Sequence, residues 1–167
     1  MIMKILQFMK ILFENWREFV EKETPKVVSF DFDDTLALVD SEYQYIGPNS
    51  PLLSLFAEFQ NRGFKVYIVT SRLEKNEEMY RERGDMTVNL FISEHGLSPD
   101  GIIFTNLEDK VHTLKRIGAV LHFDDDEFEM AAIEQGAPEI GTVQINYANG
   151  AIKIGQEHID RILGETG

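Results

Sequence analysis

Val27–Leu36 reads VVSFDFDDTL, and this stretch decides the fold. Val27, Val28 and Phe30 are β-branched or aromatic, and Ser29 is the one polar residue among the first four. A short run without polar alternation predicts a strand buried on both faces, as in a parallel sheet. Directly behind it stand Asp31, Asp33, Asp34 and Thr35. Ligands of open α/β sheets sit beyond the carboxyl ends of the strands, so chemistry is expected at these positions.

Downstream, Ser50-Pro51 opens a helix with Leu52, Leu55, Phe56 and Phe59 as its stripe and Gly63 as its stop. Phe64–Val69 is a second buried strand, followed by helices over about 74–83 and 87–95, the latter stopped by Gly96. Gly101–Phe104 reads as a third strand, Asp109–Ile117 as a helix, Ala119–Phe123 as a fourth strand, and Glu127–Gln135 as a helix ended by Gly136. Thr142–Tyr147 and Ala151–Ile154 flank Asn149-Gly150, a turn signal that predicts a hairpin or a final strand with an edge extension; a short helix over 157–163 closes the chain. Upstream, Ile5, Phe8, Met9, Leu12, Trp16, Phe19 and Val20 recur at three- and four-residue steps between Lys4 and Lys22, an amphipathic helix ended near Pro25. It is expected to pack on the domain or on a partner rather than on a membrane, because its polar face mixes Glu with Lys. Strands alternating with helices predict an α/β domain with a mostly parallel sheet.

The length of 167 residues fits a single domain over 1–167, with the N-terminal helix in 1–24, the catalytic core in 26–147 and a closing strand and helix in 148–167. Hydrophobic residues at 43% and charged residues at 27% are ordinary globular usage, which excludes disordered and fibrous classes. The absence of cysteine excludes disulfides, thiolate metal sites and a cysteine nucleophile. A net charge of −13 argues against a surface built to grip nucleic-acid backbone or anionic lipid. Phosphate chemistry stays open, because a bound divalent cation reverses the sign locally. No apolar run approaches the ~20 residues of a membrane span. Lys4 and Lys10 break the apolar N-terminus, and no small-residue cleavage site follows, so a soluble, cytoplasmic protein is expected.

Further residues of the same kind stand at the other strand ends: Thr70-Ser71-Arg72 after the second, and Lys110 before and Asp124-Asp125-Asp126 after the fourth. Any one of these is an ordinary turn, cap or surface residue. Together they bring carboxylates that repel one another to a single sheet edge, a cost that a bound cation relieves. Hard oxygen donors point to Mg²⁺. Magnesium with a hydroxyl and a lysine is what a phosphoryl group needs, and a carboxylate nucleophile divides one hard displacement into two easier ones.

Val27–Leu36 (VVSFDFDDTL), Val66–Arg72 (VYIVTSR), Lys110 and Leu121–Asp126 (LHFDDD) resemble the four motifs of the haloacid dehalogenase superfamily, over about residues 26–130. Spacings are 39 residues from 31 to 70, 40 from 70 to 110 and 14 from 110 to 124. The resemblance implies a Rossmann-like three-layer α/β/α sandwich and Mg²⁺-dependent chemistry through an aspartyl-phosphate. It makes Asp31 the nucleophile, and Asp33 the acid that protonates the leaving group and then the base that activates water. Thr70 would hydrogen-bond the phosphoryl oxygens, and Lys110 would stabilise charge on the nucleophile and the transferred group. Lys115, deeper in the same helix, is the second choice for that role. Magnesium would be held by Asp31, the backbone carbonyl of Asp33, and Asp125 or Asp124, with Asp125 favoured; Asp126 is expected to cap the next helix. Within the superfamily an aspartate at position 33 marks phosphatases and phosphomutases.

Residues 37–63 hold one helix and a flap near Val39–Pro48, and residues 71–109 hold two helices and a strand, so neither interval contains a folded cap domain. The site is therefore expected to be open, which disfavours a mutase, and either a large substrate or a second copy of the chain would close it. Thr70-Ser71-Arg72 is similar to the Ser-Gly-Arg-type signature of the 3′-phosphatase domain of polynucleotide kinases, with Ser71 in place of glycine. That similarity would make Ser71 and Arg72 phosphate or substrate contacts; an ion pair between Arg72 and the aspartate cluster is the other reading. The expected function is Mg²⁺-dependent hydrolysis of a phosphomonoester, a small phosphorylated metabolite or nucleotide. The alternatives are a 3′-phosphatase for nucleic-acid ends, which fits the acidity poorly, and a non-catalytic binding or regulatory module on the same fold. The histidines His95, His112, His122 and His158 lack ligand spacing, and His122 is expected to be a satisfied core residue. Tyr43 and Tyr45 either stack on a ring of the substrate or pack within the flap.

Overall fold

The computed structural model describes residues 2–165, and only the backbone of 21–23; residues 1 and 166–167 of the expected domain lie outside the described residues. In chain order the elements are α1 (Ile2–Glu23), β1 (Val27–Phe30), β2 (Ala37–Val39), β3 (Tyr45–Pro48), α2 (Ser50–Asn61), β4 (Lys65–Thr70), a 3-10 turn (Glu74–Asn76), α3 (Glu77–Arg83), α4 (Val88–His95), β5 (Gly101–Phe104), α5 (Lys110–Ile117), β6 (Ala119–Asp124), α6 (Glu127–Gly136), β7 (Gly141–Ile145), β8 (Ile152–Ile154) and α7 (Gln156–Gly164).

β1 is buried at all four positions because it is the middle of the sheet. It pairs in parallel with β4 on one side and with β6 on the other. The sheet order is β5-β4-β1-β6-β7-β8, all parallel except β8, which returns antiparallel to β7 as the Asn149-Gly150 turn predicts. Counting the parallel strands alone gives the order 3-2-1-4-5 of a Rossmann-like sheet, whose strand order reverses at β1. The architecture is therefore the one the sequence leads to, an α/β sandwich with a mostly parallel sheet.

Each face of the sheet carries its own apolar cluster. On one, Phe30, Phe123 and Ile68 meet Phe56 and Phe59 of α2, Phe91 of α4 and Ile159 of α7. Phe30 and Phe123 stack with centroids 4.3 Å apart, which locks β1 to β6 directly below the site. On the other face Val69 meets Leu114 of α5 and Ile133 of α6. These layers hold the carboxyl ends of β1, β4 and β6 at one rim.

The structure differs from the sequence reading in detail: β4 and β7 are shifted by one or two residues, and the flap carries the two-stranded sheet β2-β3. β6 extends through Asp124, because a buried carboxylate with its own cationic partner can continue a strand opposite Gln144 of β7. Of the two expected supports for α1, domain or partner, the domain is not one: the described side chains of the helix, Ile2 to Val20, are all exposed. No described helix is long and apolar enough to cross a membrane.

Candidate active site

Lys110 opens α5, yet its side chain is only 2% exposed. Its ammonium reaches across to the strand ends, donating to Asp31 Oδ1 at 2.7 Å and to Asp124 Oδ2 at 2.6 Å. Burying an ammonium is costly unless charges meet it, and here two do. Asp31 sits immediately past β1, with its amide donating to the Phe123 carbonyl of β6 at 2.8 Å. Asp124 ends β6, Asp125 follows, and one oxygen from each of Asp31, Asp124 and Asp125 lies within 4.8 Å of the others.

The charges are unequal in consequence. Burial opposes ionisation of Asp124, but the Lys110 charge and the His122 hydrogen bond hold it well below the usual carboxylate range. Burial also opposes the charge on Lys110, and the two aspartates restore it and raise its pKa above the ordinary lysine value. Asp31 goes the other way: burial first, then the Asp124 charge, raise it well above the usual range despite Lys110. Asp125 is pushed up to about 7 by burial and by the charges of Asp124 and Asp34. Three carboxylates thus share one ammonium, and the deficit of positive charge is what a divalent cation would supply. The donor set fits one: it is all oxygen and already gathered. Asp124 has both oxygens engaged, by Lys110 and His122 on Oδ2 and by the Asp126 amide on Oδ1. Asp31 accepts from Lys110 on Oδ1 at 2.7 Å and has only a long Thr35 hydroxyl contact on Oδ2, at 3.4 Å, and Asp125 accepts the same hydroxyl at 3.3 Å without an ion pair to Lys110.

A pH test follows with a definite sign. Because Asp125 titrates higher in the fold than in the unfolded chain, its contribution is stabilising at acid pH and is lost as pH rises through about 7. A cation binding there must displace that proton below pH 7 and finds the site ready above it. The rise in melting temperature caused by Mg²⁺ is expected to be larger at pH 8 than at pH 5.5, and to vanish in Asp125→Asn. Thermal scans at the two pH values check this; an equal rise at both removes Asp125 from the cation site.

Asp33 and Arg72 form a second unit beside the first. Arg72 Nε donates to Asp33 Oδ2 and Nη2 to Oδ1, both at 2.8 Å, a bidentate fork. Nη1 donates to Glu77 Oε1 and to the Met86 carbonyl, both at 2.9 Å, and Glu77 Oε2 accepts from the Val88 amide. The guanidinium lies over the rings of Phe32 and Tyr80, at 4.8 and 5.0 Å from their centroids. Of the two readings of Arg72 the ion pair is therefore the observed one, and its partner is Asp33. Thr70 closes β4 next to β1, buried, with its hydroxyl accepting from the Arg72 amide at 3.3 Å. The Ser71 carbonyl accepts from the Leu107 amide. Asp126 caps α6, accepting from the Phe128 and Glu129 amides.

An open cavity of about 610 Å³ lies beside Asp33, between the β2–β3 flap and the α3–α4 segment. Phe32, Tyr43, Tyr45, Tyr80, Met86 and Leu90 supply its apolar wall, Asp34, Asp85 and Glu94 its charge, and Arg72 is its single cation. Tyr45 is committed to packing, with its hydroxyl at 3.0 Å from His95 Nε2 and its ring edge-on to Phe91. Tyr43, 84% exposed, is free to meet a ligand.

The sequence reading missed how far His122 and Ser29 belong to the site. His122 is buried, and burial lowers its pKa against the pull of Asp124 and so favours the neutral ring. An ionised carboxylate only accepts, so Nε2–H donates to Asp124 at 3.0 Å and Nδ1 takes the Ser29 hydroxyl at 2.8 Å. Part of the signal was present: Ser29 is the one polar residue of β1, and His122 is the one polar residue of β6 before Asp124; that the two are direct partners comes from the β1–β6 register.

No family model matches the chain, and no curated protein matches it. Among solved structures it is similar to the Pnkp1/Rnl/Hen1 complex, at 19% identity and a TM-score of 0.54, over 75% of this chain and 47% of that one. The chain thus spans about half the length of that protein, and at this identity the likeness extends to the fold. A Vibrio cholerae protein assigned as a 3-deoxy-D-manno-octulosonate 8-phosphate phosphatase is more distant, at 15% identity and a TM-score of 0.40 over 68% of this chain and 63% of that one.

Proposed function

We propose that the chain is a Mg²⁺-dependent phosphomonoester hydrolase that works through an aspartyl-phosphate at Asp31. The observation that carries this is the buried Lys110 ammonium spanning Asp31 and Asp124 at 2.7 and 2.6 Å, with Asp125 alongside. A structural ion pair needs one carboxylate; gathering three around one lysine serves a cationic or phosphoryl ligand. A Mg²⁺ ion held by Asp31, Asp125 and the Asp33 carbonyl would neutralise the phosphoryl oxygens.

In this reading an Asp31 carboxylate oxygen attacks phosphorus in line with the ester oxygen. The P–O bond to the leaving group breaks, and that oxygen takes a proton from Asp33, which enters the step as the carboxylic acid and leaves it as the carboxylate that the Arg72 fork holds. Asp33 then takes a proton from water, whose oxygen attacks the same phosphorus; the bond to Asp31 breaks, and inorganic phosphate leaves. Lys110 holds Asp31 in place and, with the Thr70 hydroxyl, meets the charge on the transferred group.

Arg72 acts through Asp33 by fixing the carboxylate with its fork. Arg72→Lys keeps a positive charge but loses the fork. Its expected effect is a fall in kcat of about 10- to 100-fold, steeper for alkyl than for aryl phosphates, with KM little changed. A rise in KM at constant kcat would instead make Arg72 a phosphate contact.

The cavity beside Asp33 favours a small phosphorylated metabolite or nucleotide. Its aromatic wall suits a planar or apolar body, while Asp34, Asp85 and Glu94 oppose further phosphates and its one cation is already paired. The test is phosphate release from p-nitrophenyl phosphate, nucleoside monophosphates and a 3′-phosphorylated oligonucleotide, with and without Mg²⁺. Mg²⁺-dependent release that favours mononucleotides is the expected result. Preference for the oligonucleotide moves the substrate to nucleic-acid ends, and no release from any of them in folded protein leaves a binding module.

A further inference from the structure

We infer that α1 is an oligomerisation helix, which pairs antiparallel with α1 of a second copy of this chain. Ile2, Ile5, Met9, Leu12, Trp16 and Phe19 follow one another at steps of 3, 4, 3, 4 and 3, the a/d seam of a coiled coil. These six side chains are 46 to 74% exposed, although they are among the largest apolar groups of the molecule. Leu6, Phe13 and Val20 flank the seam and are exposed as well. A helix this apolar is stable in water only when that face is covered.

Area supports a partner of the same kind. A compact monomer of 19.2 kDa exposes about 8,400 Å², whereas this chain exposes 10441 Å². The surplus of about 2,000 Å² exceeds the roughly 800 Å² that each partner covers in a standard interface.

Charge selects the occupant and its direction. Lys4 and Lys10 are the only charged side chains up to residue 13, and beyond it Glu14 and Glu18 outnumber Arg17 among the residues up to Val20. Antiparallel pairing sets the positive half of each helix beside the negative half of its partner, and the two helix dipoles oppose; parallel pairing stacks like on like. The same arrangement matches seam positions a to d, with Ile2 facing Phe19, Ile5 facing Trp16 and Met9 facing Leu12 of the partner helix. An anionic membrane is a poorer occupant, because the polar face carries acids and the chain has a net charge of −13.

The test uses the full chain, which has no cysteine of its own. Sedimentation equilibrium at micromolar concentration is expected to give an even number of 19.2 kDa copies, and Leu12→Glu/Trp16→Glu is expected to give one copy with an unchanged melting temperature of the α/β core. Ile5→Cys and Trp16→Cys chains are expected to crosslink under mild oxidation when mixed and not when each is alone. A monomeric wild-type chain overturns the inference, and a monomer that co-sediments with phosphatidylcholine–phosphatidylserine vesicles gives the face to a membrane instead. Crosslinking by each single-cysteine chain alone overturns the antiparallel direction. None of these outcomes depends on phosphatase activity.

Discussion

Asp31→Asn is expected to lower Mg²⁺-dependent phosphate release by about four orders of magnitude or more and to leave the fold intact. The amide is nearly isosteric with the carboxylate and cannot form the acyl-phosphate bond. Stability should not suffer, for a reason specific to this cluster. Asp31 is a raised-pKa carboxyl, so its stabilising contribution is present at acid pH and is lost as pH rises through its folded pKa. Removing the charge removes that loss, and Lys110 keeps Asp124 as its partner. At pH 8 without metal the variant should therefore melt at or above the wild-type temperature, while its response to Mg²⁺ shrinks. Steady-state assays and melting curves on the same preparations check both halves. Turnover within tenfold of wild type would rule out Asp31 as the nucleophile, whatever the melting curves say.

Lys110→Met is expected to have the larger effect on stability. It leaves Asp31 and Asp124 buried together with no ammonium between them. Breaking a buried pair from one side costs about 3–5 kcal/mol, which for a chain of this size is a fall of roughly 6–20 °C in melting temperature. The lysine pKa is raised in the fold, so its stabilising contribution is in place throughout neutral and acid pH and fades only above the ordinary lysine range. The loss at pH 7 should therefore be complete. Asp31→Asn added to Lys110→Met removes one of the orphaned charges and should restore part of the melting temperature. A double variant no more stable than Lys110→Met would assign the loss to packing of the long side chain instead of to charge. Activity should be lost in both.

The site explains why its parts differ in how plainly they can be read from a sequence. Asp31, Thr70 and Asp124 are each the residue at or just past the end of a short apolar strand, so the strand pattern itself points to them. Lys110 is legible because it opens a helix, and a helix start facing the sheet edge has few directions in which to send a long side chain. Arg72 is the contrary case. Its neighbours in sequence are compatible with a phosphate contact or with an ion pair, and the choice depends on Glu77, the Met86 carbonyl and the ring of Tyr80, which reach it only after α3 and α4 have folded back. His122 is similar: its alternation says buried, and only the β1–β6 register says that it touches Ser29 and the Asp124 carboxylate that Lys110 also holds.

The sequence by itself determined the alternation of strands and helices, the two-sided burial of β1, and the residue types carried to the carboxyl edge of the sheet. Those are properties of local periodicity and of which residues a buried strand can tolerate, and neighbours along the chain are enough to decide them. Only the tertiary structure decided the division of labour at that edge. Whether Asp124 is an ionised partner of Lys110 while Asp31 and Asp125 are left short of positive charge depends on burial and on charges brought from α5 and β6. Whether α1 is covered depends on whether any surface of the domain is left to receive it. Electrostatic balance and burial are sums over groups distant in sequence, so they exist only once the chain has closed on itself.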